Sequence, residues 1–128
     1  MSQVKVYGPH LLLEGYGANP ISLQDSKLIY NFLDELPGLI GMTKIKQPDV
    51  VVFEDEDKAG VTGIVMIVTS HISIHTYSLK RCFFLDVFSC KDFDSKIVVD
   101  KARETFDQTW STHQVIDRGT NFPIDNLV

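Results

Sequence analysis

Residues 71–75 read His-Ile-Ser-Ile-His, with polar and apolar side chains in strict alternation. Alternate residues of a β-strand point to opposite faces. The two isoleucines therefore share one face, and His71, Ser73 and His75 share the other. Just before this stretch lies the apolar run Ile64-Val65-Met66-Ile67-Val68-Thr69, which reads as a buried strand. No glycine or proline interrupts residues 64–76. A chain organised around such a segment must build a sheet and bury one side of it. It must also satisfy or use the hydroxyls and imidazoles that the same segment carries.

The remaining segments supply partners for that sheet. His10 to Tyr16 reads as a first strand, and Gly17 to Pro20 as a turn. Leu28, Ile29, Phe32, Leu33 and Leu36 follow helical spacing. Ser22 is the expected N-cap, with Asp25 completing an approximate capping box, and Pro37-Gly38 is the expected stop. Met42–Ile45 and Val50–Phe53 read as strand, broken at Gln47-Pro48, and residues 54–58 form a charged hairpin end. Cys82–Phe88 reads as a strand buried on both faces. A second helix is expected over residues 95–110, from Ile97, Val98, Ala102, Phe106 and Trp110, and a short last strand over 114–117. The order β-α-β-β-β-α-β predicts an α+β fold. It would be a two-layer α/β sandwich on a mostly antiparallel sheet, in a single domain spanning residues 1–128.

Charge and cysteine usage narrow the function classes. The net charge of −5 argues against nucleic acid or an anionic membrane as partner. No run approaches a membrane span, and Met1–Lys5 lacks the apolar core of a signal peptide, so a cytoplasmic protein is expected. Cys82 and Cys90 are the only cysteines and lack a Cys-x-x-Cys spacing, so neither a disulfide nor a zinc site is expected.

From residue types alone, three readings of the central stretch stand. It is an ordinary half-buried strand, a histidine pair for a metal, or a site of covalent self-processing. His-x-His can chelate, but no third ligand stands at a familiar spacing. Cys90 alone reads as a small buried hydrophobe, Thr62 as a turn hydroxyl and Glu14 as a solvated strand carboxylate.

Longer motifs go further. Ser70-His71-Ile72-Ser73-Ile74-His75-Thr76 resembles the processing site of the prokaryotic, pyruvoyl-dependent S-adenosylmethionine decarboxylase family. Gly60-Val61-Thr62-Gly63 resembles its upstream Gly-Val/Ile-Ser-Gly, and Asp86-Val87-Phe88-Ser89-Cys90 its downstream Asp-Val/Ile-Phe-Thr/Ser-Cys. His10-Leu11 through Glu14 is similar to its first strand, and the similarity covers most of residues 8–119.

The resemblance implies a self-cleaving proenzyme. Ser70 would attack the Thr69 carbonyl, and the chain would part into a β chain, residues 1–69, and an α chain, residues 70–128. Ser70 would become a pyruvoyl group, the self-generated cofactor that forms a Schiff base with substrate. By the same resemblance His75 is the processing base, Thr62 assists the acyl shift and Cys90 is the proton donor. An imidazole suits proton transfer near neutral pH. A homodimer of αββα layers, with active sites near its interface, is likewise implied, as is a role in spermidine biosynthesis.

The chain departs from the pattern beyond Thr76. The family continues with an aromatic residue and Pro-Glu, whereas Tyr77-Ser78-Leu79 stands here, and Thr69 replaces a common glutamate. The glutamate lost at Leu79 is associated with ribose hydroxyls. Two substrate readings follow: S-adenosylmethionine, or arginine or ornithine on the same scaffold, with Glu14 and Tyr77 as candidate substrate-binding residues. A non-enzymatic homologue partnering an active subunit is the third reading, against which Ser70, His75 and Cys90 together speak.

Overall fold

The apolar faces found in the sequence meet in one core, between a sheet and the helices on one side of it. The computed structural model describes residues 3–128, so the reading of Met1–Lys5 falls partly outside the described residues. In chain order the elements are β1 (Val4–Lys5), β2 (Gly8–Tyr16), α1 (Pro20–Leu23), α2 (Ser26–Leu39), β3 (Asp49–Phe53), β4 (Gly60–Ile67), β5 (Ser70–Tyr77), β6 (Cys82–Phe88), α3 (Ser95–Phe106), β7 (Trp110–Arg118) and β8 (Phe122–Pro123). Six strands form an antiparallel sheet in the order β3-β4-β5-β6-β2-β7, and β1 pairs with β8 apart from it. This is the expected α+β two-layer sandwich.

Leu11, Leu13, Val65, Ile72, Ile74, Phe83, Leu85 and Val87 point from the sheet towards Ile29, Phe32, Leu33 and Leu36 of α2 and Val98, Ala102 and Phe106 of α3. Phe106 lies edge-on to Phe32, with ring centroids 5.2 Å apart, and tilted on Phe83 at 4.9 Å. Among the described residues the opposite face of the sheet carries no helix. Ile64, Met66 and Phe84 lie exposed there.

That one-sidedness corrects two expectations. The 64–69 run, read as a buried strand, buries only alternate residues, and 82–88, read as buried on both faces, is buried on one, because each strand alternates between the core and the open face. The central segment is also two strands rather than one. β4 ends at Ile67, Val68-Thr69 turns the chain, and β5 starts at Ser70, with Ile67 opposite Ser70. The sheet therefore contains one strand more than the sequence order predicts, and the turn falls on the expected cleavage bond.

Boundaries elsewhere move for local reasons. Asn19, not Ser22, caps α1 by accepting from Ile21 N, because Pro20 supplies a helical φ at once. Asp25 is itself the N-cap of α2, accepting from Leu28 N at 3.0 Å. Pro37 does not stop α2, which runs on to Leu39. In a last turn proline forfeits one hydrogen bond, and closure comes from Gly41, at φ 76, and Met42 N–H on the Pro37 carbonyl. Met42–Ile45 forms only an isolated bridge, Lys44 to Ile67, because β3 takes the β4 edge from Asp49 onward. Asp107 in the left-handed region ends α3 at Phe106, so Trp110 opens a nine-residue β7 along β2. No helix among the described residues is long and apolar enough to cross a membrane.

Candidate active site

The turn between β4 and β5 is short and strained. Two-residue hairpin loops favour glycine or asparagine, because they need positive φ. Here Thr69, a β-branched residue, is held at φ 54. Such a residue costs on the order of 1–3 kcal/mol and persists only where its surroundings impose it. The surroundings are visible on both sides of the Thr69–Ser70 peptide. The Tyr7 phenol donates to the Thr69 carbonyl oxygen at 2.5 Å. Ser70 Oγ accepts from the Cys90 backbone N–H at 2.9 Å, which fixes the hydroxyl beside the peptide it would attack.

Cys90 follows the end of β6, where Ser89 N–H binds the Pro9 carbonyl and Ser89 Oγ closes a tight turn onto Lys91. That turn turns the thiol outward next to the hairpin. Hydrogen bonds from the hydroxyls of Thr69 and then Ser70 hold the Cys90 thiol below its ordinary pKa. A cleft of about 290 Å³ opens here, lined by Met42, Val68, Thr69, Ser70, Cys90 and Lys91 among others. Cys82, by contrast, is buried at the far end of β6, and burial pushes its thiol up. The core reading of Cys82 and the exposed placing of Cys90 separate the two cysteines cleanly.

A second cluster stands at the other end of β5. Thr62 lies opposite His75 across the β4–β5 ladder, with Thr62 Oγ1 and His75 Nδ1 at 3.0 Å. The same row continues through Phe84 to Glu14, whose carboxylate accepts from the Tyr16 hydroxyl at 2.5 Å. Tyr77 meets Phe84 edge-on, and with Thr62, His75, Phe53 and Lys58 it lines a pocket of about 170 Å³. Leu79 is in the β5–β6 turn and 66% exposed.

The site residues expected from sequence thus fall into two groups. Thr69, Ser70 and Cys90 come together at one end of the sheet; Thr62, His75, Glu14 and Tyr77 gather at the other. Ser70 and His75 are five residues apart on a straight strand, which spans about 17 Å. An odd separation also sets their side chains on opposite faces: Ser70 is buried towards the helices and His75 is exposed on the open face. Within one chain, His75 does not reach Ser70.

Between the clusters the open face carries His10 Nε2 at 3.3 Å from Asp86 Oδ1, with His71 edge-on to Phe88 and the Arg118 guanidinium over that ring. Burial, then the neighbouring His10, holds His71 below the ordinary histidine pKa. Among the described residues no three His, Cys, Asp or Glu side chains converge as a metal site would require. Sequence reasoning missed Tyr7, which lies 62 residues from its partner; no local pattern marks it.

Comparison with known proteins gives the family and the fold. The sequence profile of the family described as S-adenosylmethionine decarboxylase matches residues 9–119. An S-adenosylmethionine decarboxylase proenzyme of Archaeoglobus fulgidus is 30% identical over 118 residues, covering 89% of this chain and 99% of the relative. One from a Hydrogenobaculum species is 29% identical over 116 residues, covering 90% and 84%. The crystal structure of the adenosylmethionine decarboxylase from Aquifex aeolicus superposes with a TM-score of 0.78 at 27% identity, over 95% of this chain and 98% of that one.

Proposed function

This chain belongs to the S-adenosylmethionine decarboxylase family, and on that footing we propose that it is a self-processing, pyruvoyl-dependent decarboxylase of S-adenosylmethionine, supplying an aminopropyl donor for spermidine. Its site of action in this reading is the cytoplasm. The observation that carries the reading is the Thr69–Ser70 turn: a strained peptide, its carbonyl held by Tyr7 and its attacking hydroxyl by Cys90 N–H. Ser70 Oγ adds to the Thr69 carbonyl carbon, the C–N bond breaks, and an ester with a free amine results. Loss of the Ser70 α-proton then expels the Thr69 carboxylate. Tautomerisation and hydrolysis with one water release ammonia and leave the pyruvoyl group at position 70.

That ketone supplies an electrophile for the substrate amine and a sink for the electrons left when carbon dioxide departs. This chain's own residues do the rest. Cys90 returns a proton to the substrate carbon that has lost its carboxylate. A thiol held below its ordinary pKa by neighbouring hydroxyls gives up that proton more readily. Cys90→Ala is therefore expected to yield both fragments by denaturing mass spectrometry while carbon dioxide release falls by about 10²–10⁴-fold. Undiminished turnover removes Cys90 from the mechanism.

The two-cluster geometry is completed by a second copy. The open sheet face exposes Val51, Phe53, Ile64, Met66, Phe84 and Trp110, an apolar face that a second copy would cover. Two such faces packed about a two-fold axis crossing β5 near Ile72, midway between residues 69 and 75, would lay His75 and Thr62 of one copy over the Thr69 carbonyl of the other. That carbonyl, unlike Ser70 Oγ, faces the open side, where Tyr7 stands beside Phe88. Glu14 and Tyr77 travel with His75 to the same composite site, as its substrate-binding side chains.

Leu79 favours a second substrate reading, arginine or ornithine. A leucine accepts no hydrogen bond from a ribose hydroxyl, and Glu14 offers a carboxylate to a cationic side chain. Carbon dioxide release measured in parallel with S-adenosylmethionine, arginine and ornithine decides between them; release from S-adenosylmethionine alone is expected. Leu79→Glu should then raise kcat/KM for S-adenosylmethionine by about 10-fold or more, the worth of a hydrogen bond to a charged acceptor. Faster release from arginine or ornithine than from S-adenosylmethionine sinks the primary reading.

A further inference from the structure

The Tyr7 hydroxyl makes one hydrogen bond among the described residues, and it goes to the carbonyl of the peptide that self-processing would break. We propose that Tyr7 is a catalytic residue of that cleavage: its phenol stabilises the charge that gathers on the Thr69 carbonyl oxygen as Ser70 adds. The proposal rests on the self-processing reading and names the electrophilic partner that reading lacks within one chain.

The electron bookkeeping needs nothing from outside. As the Ser70 Oγ–C bond forms, the carbonyl π pair moves onto the Thr69 oxygen, which faces the phenolic O–H. When the C–N bond breaks, that pair re-forms the carbonyl, and the proton lost by Ser70 Oγ ends on the freed amine. Tyr7 keeps its own proton throughout. An amide oxygen is a good acceptor, and an oxyanion is a better one. The bond therefore strengthens on the way to the tetrahedral state, which is the condition for a contact to accelerate a step. At 2.5 Å the donor already stands where the charge develops.

The position is built by the fold. Tyr7 N–H donates to the Gly119 carbonyl at 2.9 Å, and its ring packs tilted on Phe88 at 5.4 Å and edge-on to Phe122 at 4.9 Å. Gly119 stands at φ 70, and a Cβ there would lie 2.6 Å from Tyr7 Cβ. The β1–β8 pairing, Lys5 opposite Phe122, ties both supporting segments together. None of these contacts uses the hydroxyl. The small outlying sheet thus acts as a mount that carries a donor to the strained turn.

Tyr7→Phe keeps the ring and its packing and removes only the hydroxyl. Freshly produced full-length protein, followed by denaturing mass spectrometry, should cleave about 10²-fold more slowly than the parent, the usual cost of one oxyanion donor. Thermal melting by circular dichroism checks that the variant is folded. Hydroxylamine, which cuts esters but not amides, then reports which step is slow. If Tyr7 serves the acyl shift, little ester forms and hydroxylamine does not restore cleavage. Cleavage of Y7F at the parent rate, or its full restoration by hydroxylamine, overturns the role of Tyr7 while leaving self-processing intact. A parent chain that stays whole on prolonged incubation sinks the processing reading, and this proposal with it.

Discussion

Ser70→Ala is expected to leave the chain whole and to abolish carbon dioxide release. The parent protein, under denaturing mass spectrometry, should show two fragments divided between Thr69 and Ser70, the second closed to Edman chemistry because its first residue no longer carries an amine. In the variant the attacking oxygen is absent, and no neighbouring group replaces it. Cys90 meets the Ser70 hydroxyl with its backbone N–H and its thiol, and neither stands in the place of Oγ. The effect is total because two losses coincide: without cleavage there is no ketone, and without the ketone there is no sink for the electrons of decarboxylation. The structural cost is modest by comparison. Removing Oγ leaves the Cys90 N–H without its partner, worth about 1–3 kcal/mol. The variant should therefore melt lower yet remain folded, and a folded, intact S70A chain is the reference for every other variant. Appearance of the two fragments from S70A would refute the assignment of Ser70.

The sequence and the structure agree wherever one strand face speaks for itself. The His-Ile-Ser-Ile-His alternation predicts a row of imidazoles and a hydroxyl opposite the isoleucines, and that is the arrangement found. The helical face of Leu28 to Leu36 is likewise found against the sheet, because a 3.6-residue period leaves little choice. The turn at Val68-Thr69 was not legible. Its residues are β-branched and turn against their own preference, so only the pairing of Ile67 with Ser70 reveals it. Trp110 fits the helical spacing of α3 as well as the strand it actually opens, and one residue in the left-handed region, Asp107, decides between them. The site divides along the same line. Ser70, Thr62, His75 and Cys90 are candidates by motif, but their distances from one another are not legible, since a motif records order along the chain rather than which face a side chain takes. Tyr7 shows the limit from the other side: a contact across 62 residues, with no local signature, stands on the carbonyl of the proposed scissile peptide.

Mixing two disabled chains should restore what neither does alone. His75→Ala leaves Ser70 with no imidazole to assist its conversion, so H75A by itself is expected to stay uncleaved. Ser70→Ala is uncleaved for want of a nucleophile, but its His75 is intact. Were His75 to act within its own chain, co-expression of the two would change nothing. The geometry argues otherwise: about 17 Å of strand and opposite faces separate Ser70 from its own His75. In a face-to-face dimer the S70A partner offers its His75 and Thr62 to the Thr69 carbonyl of the H75A chain. Under random pairing about half of the H75A chains sit in mixed dimers, and those should cleave. Differently tagged chains, co-purified and weighed by mass spectrometry, give the readout. Cleavage must appear only in the H75A chain and only in the mixture, since the S70A chain has no residue to convert. Cleavage of H75A alone would remove His75 from processing. An unchanged, wholly intact mixture that still co-purifies as a dimer would show that the two clusters do not meet across the open faces. The first outcome is expected because each cluster is chemically incomplete where it stands. One end of the sheet holds the strained peptide and the nucleophile, and the other holds the imidazole and its hydroxyl partner at 3.0 Å.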